Sequence, residues 1–274
     1  MADMTSSPHQ ILAQARSALF VPASRPDRFA KASASGADLV IADLEDGVSA
    51  AEKDAARGHA EQWLTSGALA VLRVNPVGSS FYAADVELVH RTRPLAVMLP
   101  KADLDSVDQL VAALGNSTPV LPLIETAQGV WQAREICARP GVARTALGTL
   151  DLAAEIGCTS DAPPIHTSAD LLVLASTAAG IPGPWDGVCQ QLYDLSAVGR
   201  EAAAARRRGC AGKLAVHPNQ LQPIHECFSP TADELSWARR VLAAVDDGVG
   251  VVDGSMVDAP VLRQARRVLR LVQS

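Results

Sequence analysis

The residues of this chain that could do chemistry stand at the close of apolar runs. The run Leu39–Leu44 carries Asp43 into Leu44-Glu45-Asp46-Gly47, and Leu69–Val74 carries Arg73 into Asn75-Pro76. Lys101 follows Ala96–Pro100, Glu125 ends Val120–Glu125, and Asp151 comes soon after Arg144–Gly148. Asp186 lies in Trp185–Cys189, and His217 near the end of Leu214–Pro218. A charge beside a buried apolar run costs free energy unless it is paired or bound. As a set, these groups are expected to face one mouth and to hold a metal or an anion.

Glu125 and Asp151 are the metal candidates. Hard carboxylate oxygens with no Cys or His beside them select Mg2+, or Mn2+, over Zn2+. Mg2+ keeps waters and uses one or two carboxylates plus substrate, so two protein ligands suffice. Arg73, always charged and forked, can grip a carboxylate or a developing oxyanion, or pair with Asp43 or Glu45, and the roles are compatible. His217, just before Pro218, reads as a hydrogen-bonded structural residue rather than a general base. Trp63, Trp131 and Trp237 read as helix-packing residues.

Something must bring these residues together. The apolar runs, with Ala18–Pro22 as the first, are short and rich in Val, Ile and Leu, as strands buried on both faces should be. Between them lie amphipathic stretches such as Pro26–Ser35, Ala50–Ser66, Leu104–Leu114, Val130–Ala138, Ala169–Ala179 and Glu201–Arg208. Strand alternating with helix, eight times over, predicts an α/β fold, a closed (β/α)8 TIM barrel with its site at the C-terminal strand ends. An open doubly wound sheet is disfavoured, because no Gly-rich phosphate loop follows the first strand. The seventh strand is interrupted by Ile181-Pro182-Gly183-Pro184 and is the weakest.

The barrel is expected to occupy residues 1–228, with a short N-terminal tail, and a helical C-terminal extension residues 229–274. In the extension a helix over Ala232–Ala244 leads to Asp246–Gly254, read as turn, short strand and turn, and then to a helix over Val261–Val272. This tail is expected to have no core of its own and to pack on the barrel or a neighbouring subunit.

Composition narrows the function classes. Of 274 residues 48% are apolar and 20% charged, enough to bury a core and too apolar for a disordered chain. The net charge of −6 gives none of the basic footprint of a nucleic-acid binder. Five cysteines without a CxxC pair argue against a disulfide framework or a zinc ribbon. With no apolar signal core and no run long enough to span a bilayer, the expectation is a cytoplasmic protein without membrane partners.

The motifs, taken together, resemble a known family. Arg16-Ser17-Ala18-Leu19-Phe20-Val21-Pro22 leads into Arg25-Pro26-Asp27-Arg28-Phe29-Ala30-Lys31, and Ala37–Val48 contains Asp43-Leu44-Glu45-Asp46-Gly47. Arg73-Val74-Asn75, Leu99-Pro100-Lys101, Leu123-Ile124-Glu125-Thr126-Ala127, Gly148-Thr149-Leu150-Asp151-Leu152, Val216–Gln220 and Asp253–Pro260 follow in order. The series is similar to the citrate lyase beta-subunit-like branch of the HpcH/HpaI aldolase and acyl-CoA ester lyase family, along nearly the whole chain. Related class II pyruvate aldolases carry a histidine where this chain has Asp46, which favours the CoA-ester branch.

The resemblance implies a homotrimer or larger homo-oligomer, with Mg2+ (or Mn2+) held by Glu125 and Asp151. It implies that Arg73 binds the substrate carbonyl or carboxylate, that Phe20, Arg25 and Lys31 lie along the CoA arm, and that the backbone near Val216 and His217 lines the same pocket. Asp258 is expected to enter a neighbour's site. The chain departs from the family after strand six, where Leu150 replaces an acidic residue, and at His166-Thr167-Ser168, where an Arg-Ser pair is usual.

The activity implied is carbon–carbon cleavage of a 3-hydroxy acyl-CoA, such as citryl-, malyl-, citramalyl- or 3-hydroxy-3-methylglutaryl-CoA, into an acyl-CoA and a keto acid, or the reverse. Arg73 would stabilise the enolate, Asp258 would protonate it, and Asp43, Glu45 or a metal-bound water would take the hydroxyl proton. Two other readings stay open: a thioesterase on the same barrel, and a non-catalytic subunit that binds CoA esters within a larger complex.

Overall fold

The computed structural model describes residues 7–244 and 249–271. The chain forms two compact units, Met1–His225 and Glu226–Ser274. In the first unit, eight parallel strands close into a barrel in sequence order. They are β1 (Ser17–Pro22), β2 (Leu39–Asp43), β3 (Val71–Arg73), β4 (Ala96–Leu99), β5 (Val120–Ile124), β6 (Ala146–Leu147), β7 (Trp185–Asp186) and β8 (Gly212–Ala215). This is the expected (β/α)8 barrel, built from strands shorter than the apolar runs that mark them.

Helix α1 (Pro8–Gln14) precedes the barrel, opened by Ser7 and Gln10 in a reciprocal cap. The first crossover is a 3-10 turn over Pro26–Arg28 running into α2 (Phe29–Ser33). Then come α3 (Lys53–Thr65), α4 (Tyr82–Thr92) and α5 (Leu104–Leu114). The stretch expected as one helix over Val130–Ala138 is two, α6 (Ala127–Trp131) and α7 (Ala133–Cys137). The break is Gln132, whose amide oxygen is spent accepting from the Leu104 N–H at 2.9 Å. Next are α8 (Thr149–Ile156), α9 (Pro163–Ala179), α10 (Leu195–Arg208) and α11 (Leu221–Phe228). Helix α9 begins six residues before the expected Ala169, with proline in its first turn, where the missing N–H costs nothing.

Strand parity decides what lies inside. Ala18, Leu39, Ile41, Val71, Ala96, Met98, Leu121, Leu123, Ala146, Trp185 and Leu214 share one buried cluster, two apart on each strand that contributes a pair. Extending that parity toward the C-terminal ends brings Asp43, Arg73 and Glu125 to the top of the barrel. It turns Asp186 the other way, because its neighbour Trp185 points in. Asp186 accepts from Lys213 Nζ at 2.6 Å, and Glu201 lies 3.1 Å from the same nitrogen. The expectation that Asp186 shares the mouth with the other charges is therefore corrected.

The lower end is sealed. Leu12 of α1 is fully buried in the barrel cluster. Arg144, also fully buried, donates from Nη1 to the Leu12 and Ala15 carbonyls at 2.9 and 2.6 Å, and stacks 4.3 Å from the Trp185 ring centroid. Trp185 Nε1 donates to Ala15 O at 2.8 Å. Trp63 stacks on Phe29 with ring centroids 4.3 Å apart, as a helix-packing residue should. Trp131 does not; it is 80% exposed. Among the described residues, no helix is long and apolar enough to cross a membrane.

The second unit contains α12 (Ala232–Ala244), an antiparallel pair β9 (Gly250–Val252) and β10 (Ser255–Val257), and α13 (Ala259–Arg270). Its hairpin turns at Asp253-Gly254, both at positive φ, the conformation that suits a right-twisted two-strand ribbon. Ala238, Val241, Val257, Leu262 and Ala265 form a small buried cluster of their own. That overturns the expectation of a tail without a core: α12 and α13 each present an apolar stripe, and the stripes meet. The turn expected at Asp246-Asp247-Gly248 lies outside the described residues, as does Val272 at the end of the last helix.

Candidate active site

Arg73 is the centre of the site. Its Cα stands directly opposite that of Asp43 in the β2–β3 register, so both side chains rise from the same face of the barrel. Nε donates to Asp43 Oδ1 at 2.7 Å and Nη2 to Oδ2 at 2.8 Å. The same carboxylate accepts from the backbone N–H of Glu45 at 2.8 Å and of Gly47 at 3.0 Å, so Asp43 has little capacity left. Position 47 needs glycine, because a β-carbon there would come within 2.5 Å of Asp43 Oδ2. Glu45 Oε2 lies 2.8 Å from Arg73 Nη1 but outside hydrogen-bonding geometry, so this buried oxygen is left without a hydrogen bond. Glu45 Oε1 accepts from Lys101 Nζ at 2.6 Å. The Arg73 guanidinium also lies 4.7 Å from the centroid of the Phe20 ring. Burial opposes its charge, but Asp43 and then Glu45 more than compensate and raise its pKa. Arg73 is thus a permanently charged fork that still has N–H groups to offer a ligand.

Glu125, one residue past β5, is 3% exposed. Its Oε1 accepts from the Lys101 N–H at 2.8 Å, and Lys101 sits at φ +49° to present it. Burial pushes the carboxyl up to about 8; the Lys101 N–H opposes this, and the charges of Asp151 and Glu45 add to it. Asp151 is exposed in the first turn of α8 rather than at a strand end, and lines the cavity described below. Gly148 precedes α8; a β-carbon there would fall 2.4 Å from Glu125 Oε2. Five carboxylates (Asp43, Glu45, Asp46, Glu125, Asp151) thus face Arg73 and Lys101, with Lys53 beneath. The surplus negative charge and the all-oxygen donor set fit a hard divalent cation. Among the described residues no group of three or more His, Cys, Asp or Glu is placed to hold a metal ion.

Beneath the site lies a network that carried no signal in the sequence. Lys53, 7% exposed, donates from Nζ to Leu44 O at 2.6 Å, Glu45 O at 2.8 Å and Asn75 Oδ1 at 2.7 Å. Asn75 donates from its backbone N and Nδ2 to Asp85 Oδ2 at 2.8 and 2.6 Å, and Arg57 Nη1 meets Asp85 Oδ1 at 3.0 Å. A lysine at a helix start and an aspartate inside an amphipathic helix are ordinarily solvated, so nothing local marked them.

Above the site a cavity of about 790 Å3 opens, lined by Phe20, Arg25, Lys31, Val216 and His217 together with Asp43, Arg73 and Asp151. The residues assigned to the CoA arm therefore share one cavity with the charged centre. Arg25 is exposed and held by Asp27 through Nε and Nη2 at 3.0 and 2.9 Å. His217 spends Nδ1 as acceptor from the Asn219 N–H at 3.2 Å, which matches the structural reading of that residue. Asp258 opens α13, its Oδ1 accepting from the Val261 N–H at 3.3 Å.

Comparison with known proteins adds the family. Residues 16–218 match the model of HpcH/HpaI aldolase/citrate lyase. A citrate lyase subunit beta-like protein of Mycobacterium tuberculosis is 36% identical over 261 residues, covering 92% of this chain and 93% of the relative. A (3S)-malyl-CoA thioesterase of Cereibacter sphaeroides is 33% identical over 266 residues, covering 93% of each. The crystal structure of the M. tuberculosis protein CitE with magnesium, acetoacetate and coenzyme A superposes with a TM-score of 0.83 at 34% identity, covering 95% of this chain and 98% of that one. The matched range spans all eight barrel strands, and the chain belongs to the HpcH/HpaI aldolase/citrate lyase family.

Proposed function

We propose that this chain is a Mg2+-dependent carbon–carbon lyase that cleaves a 3-hydroxy acyl-CoA into an acyl-CoA and a keto acid, or joins them. The observation that carries the reading is the Arg73 fork beside a buried carboxylate set, at the floor of a cavity large enough for a nucleotide-bearing thioester. The magnesium, acetoacetate and coenzyme A bound to CitE, and the magnesium and oxaloacetate bound to the M. tuberculosis citrate lyase beta subunit, are the ligands this site would take.

Glu125 and Asp151 would hold Mg2+, which, when bound, supplies Lewis acidity at the keto oxygen. The protein's own residues do the rest. Arg73, aimed by Asp43 and Glu45, offers its remaining N–H groups to the oxygen on which negative charge develops. Glu45, with an oxygen free of hydrogen bonds, is better placed than the saturated Asp43 to take the hydroxyl proton. Asp258, brought by the extension of a neighbouring subunit in a homotrimer or larger assembly, protonates the enolate carbon. Phe20, Arg25, Lys31, Val216 and His217 receive the CoA arm.

The test is a panel of malyl-, citramalyl-, citryl- and 3-hydroxy-3-methylglutaryl-CoA incubated with the protein and Mg2+. Release of a short acyl-CoA with a keto acid from at least one member is expected, and silence across the panel rejects the reading. A second reading, thioester hydrolysis, is favoured by the likeness to the (3S)-malyl-CoA thioesterase. It would release free CoA instead.

A further inference from the structure

We propose that Lys53 is a positioning residue for Arg73: from outside the barrel it fixes the Leu44–Glu45 backbone, and so sets where the carboxylates that aim Arg73 stand. The inference rests on Arg73 being the group that grips substrate, as in the proposed function. An ammonium has three N–H donors, and Lys53 Nζ has three acceptors within 2.8 Å. Two of them are the carbonyls of Leu44 and Glu45, in the peptide units on either side of Glu45. The third, Asn75, stands two residues beyond Arg73 on the next strand–loop junction. One buried charge therefore ties together the two loops that carry the cradle, β2 into Asp43–Gly47 and β3 into Arg73–Asn75.

Lys53 is itself braced. Asp85 of α4 accepts twice from Asn75 and once from Arg57. Arg57 stands four residues along α3 from Lys53, so a single helix face supplies both cations. Signs alternate outward from the site: Arg73 positive, Asp43 and Glu45 negative, Lys53 positive, Asp85 negative, Arg57 positive. A neutral side chain at position 53 takes the donor from the buried Leu44 carbonyl and from Asn75 Oδ1, and leaves the Glu45 carbonyl with the Val48 N–H at 3.0 Å.

The experiment uses Lys53→Met in the intact chain. Hydrogen exchange of the unliganded protein should accelerate in the peptide spanning residues 43–48, while strands β4 to β8 keep wild-type protection. Oxaloacetate with Mg2+ should bind about 10- to 100-fold more weakly, the range given by losing one charge-assisted hydrogen bond. Free CoA, received at Phe20, Arg25 and Lys31, should bind within about twofold of wild type, as a separate contact would. Lys53→Cys converted to its aminoethyl thioether, with equally treated wild type as control, should regain oxaloacetate binding. Unchanged exchange at 43–48, or loosening across the whole barrel, overturns the inference. So does a parallel loss of oxaloacetate and CoA binding. Should the wild-type protein fail to bind oxaloacetate, the proposed function is still decided by the acyl-CoA panel, and the exchange measurement still decides the role of Lys53.

Discussion

Asp43 meets Arg73 at two points, with Nε on one carboxylate oxygen and Nη2 on the other, across a register that sets the two residues directly opposite each other. The contact is almost fully buried, since Asp43 is 2% exposed. Arg73→Met therefore leaves Asp43 as an uncompensated buried charge, with Glu45 still paired to Lys101, and should destabilise the barrel by about 3–5 kcal/mol in denaturant titration. Arg73→Lys keeps the charge but loses the fork, and should cost less stability while still lowering turnover by about 100-fold. Equal stability for the two variants would show that the forked geometry, and not the charge, is what stabilises the barrel here.

Gly148 supports a sharper test of the metal site. Its φ of −91° suits any residue, so Gly148→Ala imposes no backbone strain. The new methyl would instead collide with both Cβ and Oε2 of Glu125. Overpacking of this kind costs about 1–3 kcal/mol or more, and because Cβ is fixed to the backbone the whole Glu125 side chain must shift. Titration calorimetry should show Mg2+ binding weakened at least about tenfold, with Glu125→Gln and Asp151→Asn each abolishing it.

The metal-free protein should respond to pH in a specific direction. The folded pKa of Glu125, about 8, lies above its ordinary value of 4.5, so the folded chain holds a proton that the unfolded chain releases between those limits. This contribution to stability is complete below the lower value and is lost as pH rises toward the upper one. Mg2+ needs the deprotonated form, so its affinity should climb with pH and level off above about 8. Melting curves with and without Mg2+ should diverge as pH rises across that window, and Glu125→Gln should remove the divergence.

Asp258 tests the proton donor. Its side chain caps α13, and asparagine preserves that cap, so Asp258→Asn should change the melting temperature little. Turnover should fall about 10²–10⁴-fold if it donates the proton. Mixing Asp258→Asn with Arg73→Ala chains under conditions that exchange subunits should restore part of the activity; a dead mixture after proven exchange would place the donor elsewhere.

How much was readable beforehand depends on where each residue's partners lie. The barrel and its charged rim were legible because strands buried on both faces write continuous apolar runs, and an isolated charge at the end of one, such as Glu125 or Arg73, stands out against them. A charge near the end of an apolar run does not by itself say which way it faces, and in Asp186 a single residue of offset from the inward Trp185 turns the carboxylate toward Lys213. The core of the extension was missed because Val241, Val257 and Leu262 are spread over three elements, none of which looks apolar alone. Lys53 and Asp85 were invisible, since a buried ion network consists of residue types that usually face water.

The plug formed by α1 and Arg144 has a consequence for traffic. With Leu12 seated in the lower end of the barrel and Arg144 bonded to the Leu12 and Ala15 carbonyls, the described residues close the rear of the barrel. Whatever enters from the upper rim must leave by the same rim, past whatever follows it in. Under the proposed reaction the small keto acid lies deepest and the thioester lies across the opening. Departure is then single-file, with the larger product leaving first, and a high concentration of free CoA should trap the smaller one behind it.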